Sequence, residues 1–461
     1  MRKLLGAMIW MLASTSVFAQ DETSALPPER RLDFEEFYQL ALEKSGRMRE
    51  SSAQLGVSEA RSDLARAPSL PNLQLEAIAG PSPTFTGNAL RSETTFDAWG
   101  VAFQSRLELT QPLYAFGALQ KLRDAARAAH EAETGRHERE KLLLRQDVAK
   151  LYYGYQLAFD LREICRDLLE QMKKARSQGE DLRRRRAKGA PSLTDLDRID
   201  MVVAELSSRF EEAQKFMDLA RLGMGVETGT YGEQTPPRWR RANLKRRVGD
   251  LKELAFYQNL SHGKRPEYQA LRKEIEAREI LADAEGARSY PVLFAGARWT
   301  YATNTSSADQ PSVFANDPFN SNSVVAGVGL KWNLYSAEAR AKSAAARADA
   351  IKTRAKNEVL LRSLDAEVEK YWSELRFLRA SADQKDNAVR SARRVYLDMV
   401  GGFALGTAKA KDLLEAIGGL AMSQKSSLET IFEEHLAWVR LESSVGEALL
   451  SANAEPASKD P

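Results

Sequence analysis

Two long segments of the chain place apolar residues at helical spacing. The first runs from about 116 to 187 and the second from about 337 to 400, and neither contains proline. Apolar positions three and four residues apart predict a helix with one continuous seam. The seam residues are Leu144, Val148, Leu151, Tyr155 and Ala158 in the first segment, and Leu364, Val368, Tyr371 or Trp372, Leu375 and Leu378 in the second. Helices roughly 95–105 Å long must pack lengthwise against each other or against other chains.

Four other segments alternate with a period of two, which predicts strands near 72–80, 97–113, 291–301 and 323–335. One face of each is apolar and the other is polar or small. A half-buried sheet of a soluble protein has this pattern, and so does the wall of a membrane barrel. Four such strands, together with the export signal described below, favour the barrel. The segments 81–96 and 302–322 are rich in Ser, Thr, Asn, Asp, Gly and Pro, which predicts exposed loops.

Four strands cannot close a barrel by themselves. An open sheet edge in hydrocarbon leaves amide and carbonyl groups without partners, and the smallest closed membrane barrels have eight strands. If the strands span a membrane, several chains must each contribute four of them. The sequence therefore predicts an oligomer.

The chain is a tandem repeat. The Pro-x-Leu at Pro71 matches that at Pro291, an offset of 291 − 71 = 220, and Gly189 matches Gly406, an offset of 406 − 189 = 217. A period this long indicates duplication of a whole unit. We expect a first repeat at 20–224, a connecting equatorial segment at 225–249, a second repeat at 250–449 and a disordered tail at 450–461.

Residues 1–19 have the form of a secretory signal peptide. A basic start is followed by an apolar run from Leu4 to Val17, and Val17-Phe18-Ala19 places small residues before a cut at Gln20. An uncleaved membrane anchor is the alternative, although the run is shorter than a spanning helix needs. The signal predicts an exported protein.

Composition narrows the function classes. Lys+Arg 67 against Asp+Glu 64 gives a net charge of +3, which offers no concentrated basic excess for nucleic acid. The single cysteine, Cys165, excludes an intrachain disulfide framework and is expected to be a packing residue. No nucleophile–base pattern, phosphate loop or metal-ligand spacing is present, so we expect no enzyme activity, no cofactor and no metal. An exported coiled-coil rod with a small soluble sheet is the alternative to a membrane duct.

Three segments carry a resemblance to the TolC family of outer-membrane efflux and secretion channels. They are 109–117 (LTQPLYAFG), 329–335 (GLKWNLY) and 406–416 (GTAKAKDLLEA). Asn333 stands where the family usually has proline, and 336–338 replaces a glycine-containing turn. The order of the matching segments, twice along the chain, carries the resemblance more than any single one.

The resemblance implies an α+β membrane protein with four transmembrane strands and very long helices per chain. Three copies would form a 12-stranded barrel in the Gram-negative outer membrane, continued by an α-helical barrel in the periplasm. Such ducts passively conduct substrates for a tripartite efflux pump or a type I secretion system. The implied partners are two further copies, a periplasmic adaptor (membrane fusion) protein, an inner-membrane transporter and outer-membrane lipid.

Two turns are expected at the periplasmic tips. Each long helix is predicted to end at a glycine, Gly189 or Gly406, and a new helix starts near Thr194 or Lys411. The resemblance implies that tip residues contact the adaptor. The expected contact residues are Gly189, Leu193, Thr194, Leu405 and Gly406.

The resemblance also implies a periplasmic gate made of Asp412, Glu415 and Asp195. Asp412 and Glu415 are three residues apart and share one helix face, so three chains would present six carboxylates around an axis. Phe403 and Ala408 stand where the family has a tyrosine and an arginine of the latch, which leaves Lys409 or Lys411 to pair with Asp195. The alternative is that the acids are solvated residues at a helix start.

Two further groups keep two interpretations each. Arg183–Arg186 would contact an acidic partner or line the tip, or form a solvated helix end. Four aromatic residues would belong to an interfacial belt or to a core. They are Trp99, Trp299, Tyr301 and Trp332.

Overall fold

The computed structural model describes residues 31–447 except 89–90, 188, 234–235, 241–242, 248 and 310–316. The expected signal peptide and the expected tail at 450–461 lie outside the described residues. The elements in chain order are β1 (Arg31–Leu32), α1 (Phe34–Lys44), α2 (Gly46–Arg66), β2 (Asn72–Asn88), β3 (Arg91–Tyr114), α3 (Ala118–Arg184), α4 (Leu193–Glu227), β4 (Arg238–Trp239), α5 (Leu254–Lys264), α6 (Pro266–Ala287), β5 (Val292–Asn304), β6 (Ser321–Lys331), α7 (Ala337–Ala404) and α8 (Ala410–Val445).

Two helices set the length of the molecule. α3 has 67 residues and α7 has 68, so each is about 100 Å long. The oxygen of Ser336 caps α7 by accepting from the Ala339 amide at 3.1 Å. In the described part of the chain, no helix has an apolar stretch that would carry it across a bilayer.

One end of the molecule is a four-stranded antiparallel sheet with the order β2-β3-β5-β6. One row across it reads Leu75, Leu107, Trp299 and Val324. The central pairing joins β3 of the first repeat to β5 of the second. Within the described residues, β2 and β6 each have a partner on one side only.

The first hairpin is longer than the sequence pattern predicted. The expected loop at 81–96 is wrong over most of its length, because β2 continues to Asn88 and β3 starts at Arg91. Pro81 and Pro83 lie in β2, which is an edge strand in the single chain, where a missing amide hydrogen is tolerated. The register shifts between Pro83 and Thr84. The last strand was predicted too far, since β6 ends at Lys331.

The two faces of the sheet differ in polarity. Large apolar side chains of one face are exposed in the single chain, including Leu73 at 63% and Val324 at 72%. The opposite face carries two ion pairs between neighbouring strands, Arg106–Glu76 at 3.4 Å and Arg298–Glu108 at 3.3 Å. A sheet that exposes an apolar face and pairs the charges of its other face is suited to lipid outside and water inside.

The candidate aromatic belt is not a core. Trp99 and Trp332 are 60% and 53% exposed, and Trp299 and Tyr301 are also exposed. The core interpretation of these residues is therefore wrong for the single chain. Trp299 lies in mid-sheet beside Leu107, whereas Trp332 follows the end of β6.

A layer of buried charged residues lies midway along the helices. It is called the belt below and is distinct from the candidate aromatic belt. It consists of the last turns of α8, the facing parts of α3 and α7, and the connecting segment around 244–247. Glu442 is buried and lies 3.3 Å from Arg247 and 3.7 Å from Arg145. Glu434 is also buried and lies 3.1 Å from Arg379. These pairs join the connecting segment to both repeats.

Candidate functional site: the helical tip

The end of the molecule opposite the sheet is formed by two turns. Residues 185–192 join α3 to α4, and residues 405–409 join α7 to α8. The four helix ends share an apolar core, in which Phe403, Leu413 and Ile199 are buried. This end is about 100 Å from the sheet, given the length of α3 and α7.

The second turn ends α7 at a glycine, as the sequence predicted. Gly406 has a φ of 71°, its amide donates to the Phe403 carbonyl at 3.0 Å, and the Thr407 amide donates to Gly402 at 2.9 Å. This pair of hydrogen bonds is the Schellman motif, in which a left-handed residue closes the helix.

The first turn ends α3 differently from the prediction. The Arg186 amide donates to Arg183, the Ala187 amide donates to Leu182, and Arg186 has a φ of 49°. Arg186 therefore occupies the left-handed position, and the expected role of Gly189 as the helix-ending glycine is wrong. Structural equivalence pairs Arg186 with Gly406, at an offset of 406 − 186 = 220. The first turn has eight residues (192 − 185 + 1) and the second has five (409 − 405 + 1), so the three extra residues explain the offset of 217.

Gly189 has another role, which is contact between the two turns. Its φ is 87°, and a Cβ built on it would lie 2.1 Å from the carbonyl oxygen of Gly406. Any side chain at this position would push the turns apart. Gly179 of α3 is less constrained, because its Cβ would lie 2.9 Å from the end of the Leu196 side chain and 3.1 Å from the Pro191 ring.

Two leucines of the expected adaptor-contact set are exposed on the tip. Leu193 is 61% and Leu405 is 79% exposed, and Thr194 is exposed as well. The buried residues Pro191 and Phe403 lie two positions before Leu193 and Leu405 in the chain. Apolar side chains that project from an otherwise packed tip mark a surface suited to binding another protein.

Asp195 is held by its own helix start. Ser192 caps α4, with its oxygen accepting from the Asp195 amide, while the Asp195 carboxylate accepts from the hydroxyl and amide of Ser192 at 2.8 and 3.1 Å. These hydrogen bonds lower the pKa of Asp195. Its other partner is Arg198 at 3.3 Å. Within the described part of the single chain, Asp195 pairs with Ser192 and Arg198 and not with Lys409 or Lys411.

Asp412 and Glu415 have no such partners. Both are exposed near the start of α8, and in the described part of the chain neither side chain forms a hydrogen bond or an ion pair. Leu413 and Ile417 bury the opposite face of the helix. The two carboxylates thus stand together on the outer side of α8, and the single chain does not place them on an axis.

Phe403 is buried in the tip core, and its ring lies 3.6 Å from the position of a Cβ on Gly179. Phe403 stands where the family's latch has a tyrosine, and its side chain packs into the tip core. The four arginines 183–186 are exposed, with Arg184 paired to Asp181 at 3.0 Å. Arg186 also occupies the left-handed position that ends α3. Neither interpretation of the four arginines had included this backbone role.

The belt was missed by sequence reasoning. Its pairs are remote along the chain, as in Arg145 with Glu442, which are 442 − 145 = 297 residues apart. The signal available was the arginine-rich connecting segment, which includes Arg240, Arg246 and Arg247. Arg240 reaches Asp33 and Glu36 of the first repeat, while Arg246 reaches Asp383 of the second.

Comparison with known proteins gives one sequence family. A model of the family described as outer membrane efflux protein matches residues 37–214 and 259–447, which are the two repeats. Among curated proteins, no sequence matches the chain.

Solved structures share the fold across nearly the whole chain. CusC, whose crystal structures are described as concerned with folding and transmembrane channel formation, is 17% identical with a TM-score of 0.74 over 91% of this chain and 94% of its own. The outer membrane protein VceC of Vibrio cholerae is 17% identical with a TM-score of 0.71 over 90% and 96%. The outer membrane channel CmeC of Campylobacter jejuni is 13% identical with a TM-score of 0.73 over 90% and 85%.

Proposed function

Because the chain belongs to the outer membrane efflux protein family, we propose that three copies assemble into one exit duct of a tripartite efflux pump. The protein is an outer-membrane channel that extends into the periplasm. In the proposed trimer the four-stranded sheets join into a 12-stranded barrel, and the long helices continue the barrel as a tunnel. Substrates pass through it without chemical change.

The observation that carries the proposal is the sheet. It exposes an apolar face, pairs the charges of its other face, and leaves the outer edges of β2 and β6 unpaired among the described strands. Joining β6 of one chain to β2 of the next satisfies the backbone groups of both edges. Three chains give 3 × 4 = 12 strands.

The tip supports a docking role. We place the periplasmic adaptor on Leu193, Thr194 and Leu405, because these residues are exposed at the end of the molecule that the two turns form. Gly189 and Gly406 hold the two turns in contact and so fix the relative position of the two leucines. The inner-membrane transporter supplies the energy and selects the cargo, and the duct receives what the transporter and adaptor deliver.

We assign Asp412 and Glu415 to the periplasmic entrance. Both carboxylates lack a partner in the described chain, and threefold assembly would place six of them near one axis. Crowded carboxylates attract cations and repel anions. Asp195 contributes less to this field than expected, since its charge is compensated by the capping hydrogen bonds and by Arg198.

The duct is tested by its mass and its conductance. The purified protein in detergent is expected to give the mass of three chains in native mass spectrometry and to conduct ions in a planar bilayer. A stable monomer without conductance would contradict the duct and restore the interpretation of an exported rod. The same fractions show the location, because a duct sediments with outer membranes and a rod stays in the soluble periplasmic fraction.

A further inference from the structure

A basic cleft lies between the end of α2 and the start of α3. It encloses about 290 Å³. Its lining residues are Ser62 and Arg66 from α2, and Gln120, Arg123, Asp124 and Arg127 from α3. Neither the family match nor the proposed duct assigns a role to it.

The residues lie together because of helical spacing. Gln120, Arg123, Asp124 and Arg127 are at positions i, i+3, i+4 and i+7, which share one face of α3, and Ser62 and Arg66 are at i and i+4 on α2. The two faces meet where α2 packs along α3. Three guanidinium groups and one carboxylate therefore share a small space.

The polar groups of the cleft are only partly used. Gln120 accepts from Nη2 of Arg123 at 2.7 Å and donates to Asp124 at 3.2 Å, while Arg66 lies 3.6 Å from Asp63. Nε of Arg123 is buried and has no hydrogen-bond partner. Arg127 is exposed and forms no ion pair within the described residues. A buried donor without an acceptor is costly, so this cleft is suited to an anion with several oxygens.

The height of the cleft matches the membrane surface. Arg66 precedes the first residue of β2 by 72 − 66 = 6 positions, and Arg123 lies 123 − 118 = 5 residues into α3, which is about 8 Å along the helix. The exposed rings of Tyr114, Phe116 and Tyr290 lie at the junction of sheet and helices. Exposed aromatic residues at such a junction are typical of the lipid headgroup level.

The second repeat provides an internal comparison. At the offset of 220, Arg66, Arg123 and Arg127 correspond to Gly286, Ser343 and Arg347. These residues also meet, because a Cβ on Gly286 would lie 3.6 Å from Ser343 Oγ and 3.8 Å from a guanidinium nitrogen of Arg347. At the same offset Gln120 corresponds to Arg340 and Asp124 to Ala344, so the second repeat has two arginines at these positions instead of three. The guanidinium group of Arg340 lies over the ring of Tyr335. The cleft with three arginines is therefore specific to the first repeat.

We propose that the cleft binds a phosphate group, carried by a phospholipid headgroup of the periplasmic leaflet or present as free phosphate. Arginine forks bind phosphate oxygens in pairs, and the anion would supply an acceptor to Nε of Arg123. The proposal rests on the outer-membrane location and is independent of cargo and adaptor.

Binding is measured on the intact protein in detergent. Dioctanoyl phosphatidylglycerol is titrated in native mass spectrometry, and inorganic phosphate is titrated separately and as a competitor. The test variant is Arg66→Gln with Arg123→Gln and Arg127→Gln. The control variant is Arg340→Gln with Lys342→Gln and Arg347→Gln, which removes the same charge at the start of α7. Circular dichroism checks that both variants keep the helical content of the wild type.

The wild type and the control are expected to bind one phosphatidylglycerol per chain, and the test variant at least about tenfold more weakly. Binding of the lipid that millimolar phosphate does not displace identifies the headgroup as the source, whereas equal binding of phosphate alone identifies the free anion. Equal lipid and phosphate binding by the test variant and the control overturns the proposal. So does weakening of the same size in both variants, because it would reflect net charge alone.

Discussion

Arg186 has a backbone conformation that its structural equivalent, Gly406, adopts without a side chain. A left-handed φ costs a residue with a Cβ roughly 1–2 kcal/mol. Glycine avoids this cost, but its greater conformational entropy in the unfolded chain cancels part of the gain. We therefore expect Arg186→Gly to stabilise the end of α3 by about 0.5–1 kcal/mol. Because the side chain is exposed, little contact energy is lost.

The measurement is amide hydrogen exchange of the peptide that contains the first tip turn. Exchange should be about two- to fivefold slower in Arg186→Gly, from the free-energy gain. Arg185→Gly is the matched control, since Arg185 has an ordinary helical φ of −78° and glycine there should speed exchange. Faster exchange in both variants would show that the positive φ of Arg186 is not strained.

Asp412 and Glu415 are expected to control cation entry. A trivalent cation added to the periplasmic side should block the wild-type channel, and Asp412→Ala with Glu415→Ala should weaken the block at least about tenfold, because six carboxylates are removed from the trimer. The measurement is single-channel conductance in planar bilayers. Glu429→Ala, about 25 Å further along α8, is the control and should keep the block. An unchanged block in the double variant would contradict this role and favour the alternative, in which the two acids are solvated residues at a helix start.

At the scale of elements, the two tip turns act through their leucines. Replacing Leu193 and Leu405 with glutamate puts charge where an apolar partner surface is expected, so export should fall at least about tenfold while the trimer mass is unchanged. Efflux of a fluorescent dye from cells that carry the natural transporter and adaptor measures the loss. Leu222→Glu, at a leucine of α4 that is 53% exposed and lies away from the tip, is the control. Normal efflux in the double variant would exclude the leucines from docking.

The belt predicts a dependence of stability on pH through His435. Its Nε2 donates to the Lys245 carbonyl at 2.7 Å, its ring stacks on Tyr153 at 4.2 Å, and burial lowers its pKa to about 4. The unfolded chain takes up this proton near pH 6.5, and the folded chain only near pH 4. The contribution is complete above pH 6.5 and is lost as pH falls toward 4, up to about 3 kcal/mol per chain.

Thermal unfolding between pH 7 and pH 4 tests this directly. His435→Gln should flatten the decline of stability with falling pH. Burial also raises the pKa of Glu434 and Glu442, which acts in the opposite direction, because their folded forms gain stability as pH falls. Both the wild type and the His435 variant contain Glu434 and Glu442, so the difference between their pH dependences reports on His435. Equal slopes in both proteins would contradict a neutral buried His435.

The sequence predicted the elements whose signal is local. The seams of α3 and α7 and the alternation of the four strands come from neighbouring residues, so the period alone reveals them. Strand ends were missed because Pro81 and Pro83 look like loop residues, although an edge strand accepts them. The belt was missed because its partners lie in different elements, and the role of Arg186 was missed because a left-handed arginine has no sequence signature.

At the scale of the whole molecule, the edges of the sheet decide the assembly. With Cys165→Ser as background, cysteines at Gln74 on β2 and Ser323 on β6 should be joined between chains by a short bifunctional cross-linker. The resulting ladder on a denaturing gel should end at three chains. The control pair, Glu108→Cys with Arg298→Cys, lies directly opposite within one chain and should give internally linked monomers. A ladder that continues beyond three, or no linked chains in the edge variant, would contradict the closed barrel.

The unequal length of the two turns has a consequence for symmetry. A trimer of a duplicated chain carries six helical hairpins, three ending in an eight-residue turn and three in a five-residue turn. Going around the mouth, long and short turns alternate, so a rotation by 60° places each hairpin on one of different shape. Six identical ligands arranged in a ring would therefore bind at two kinds of site, one on long turns and one on short turns. Three ligands could all bind at sites of the same kind. The duplication that built the chain gives the mouth approximate sixfold order, and three inserted residues reduce that order to threefold.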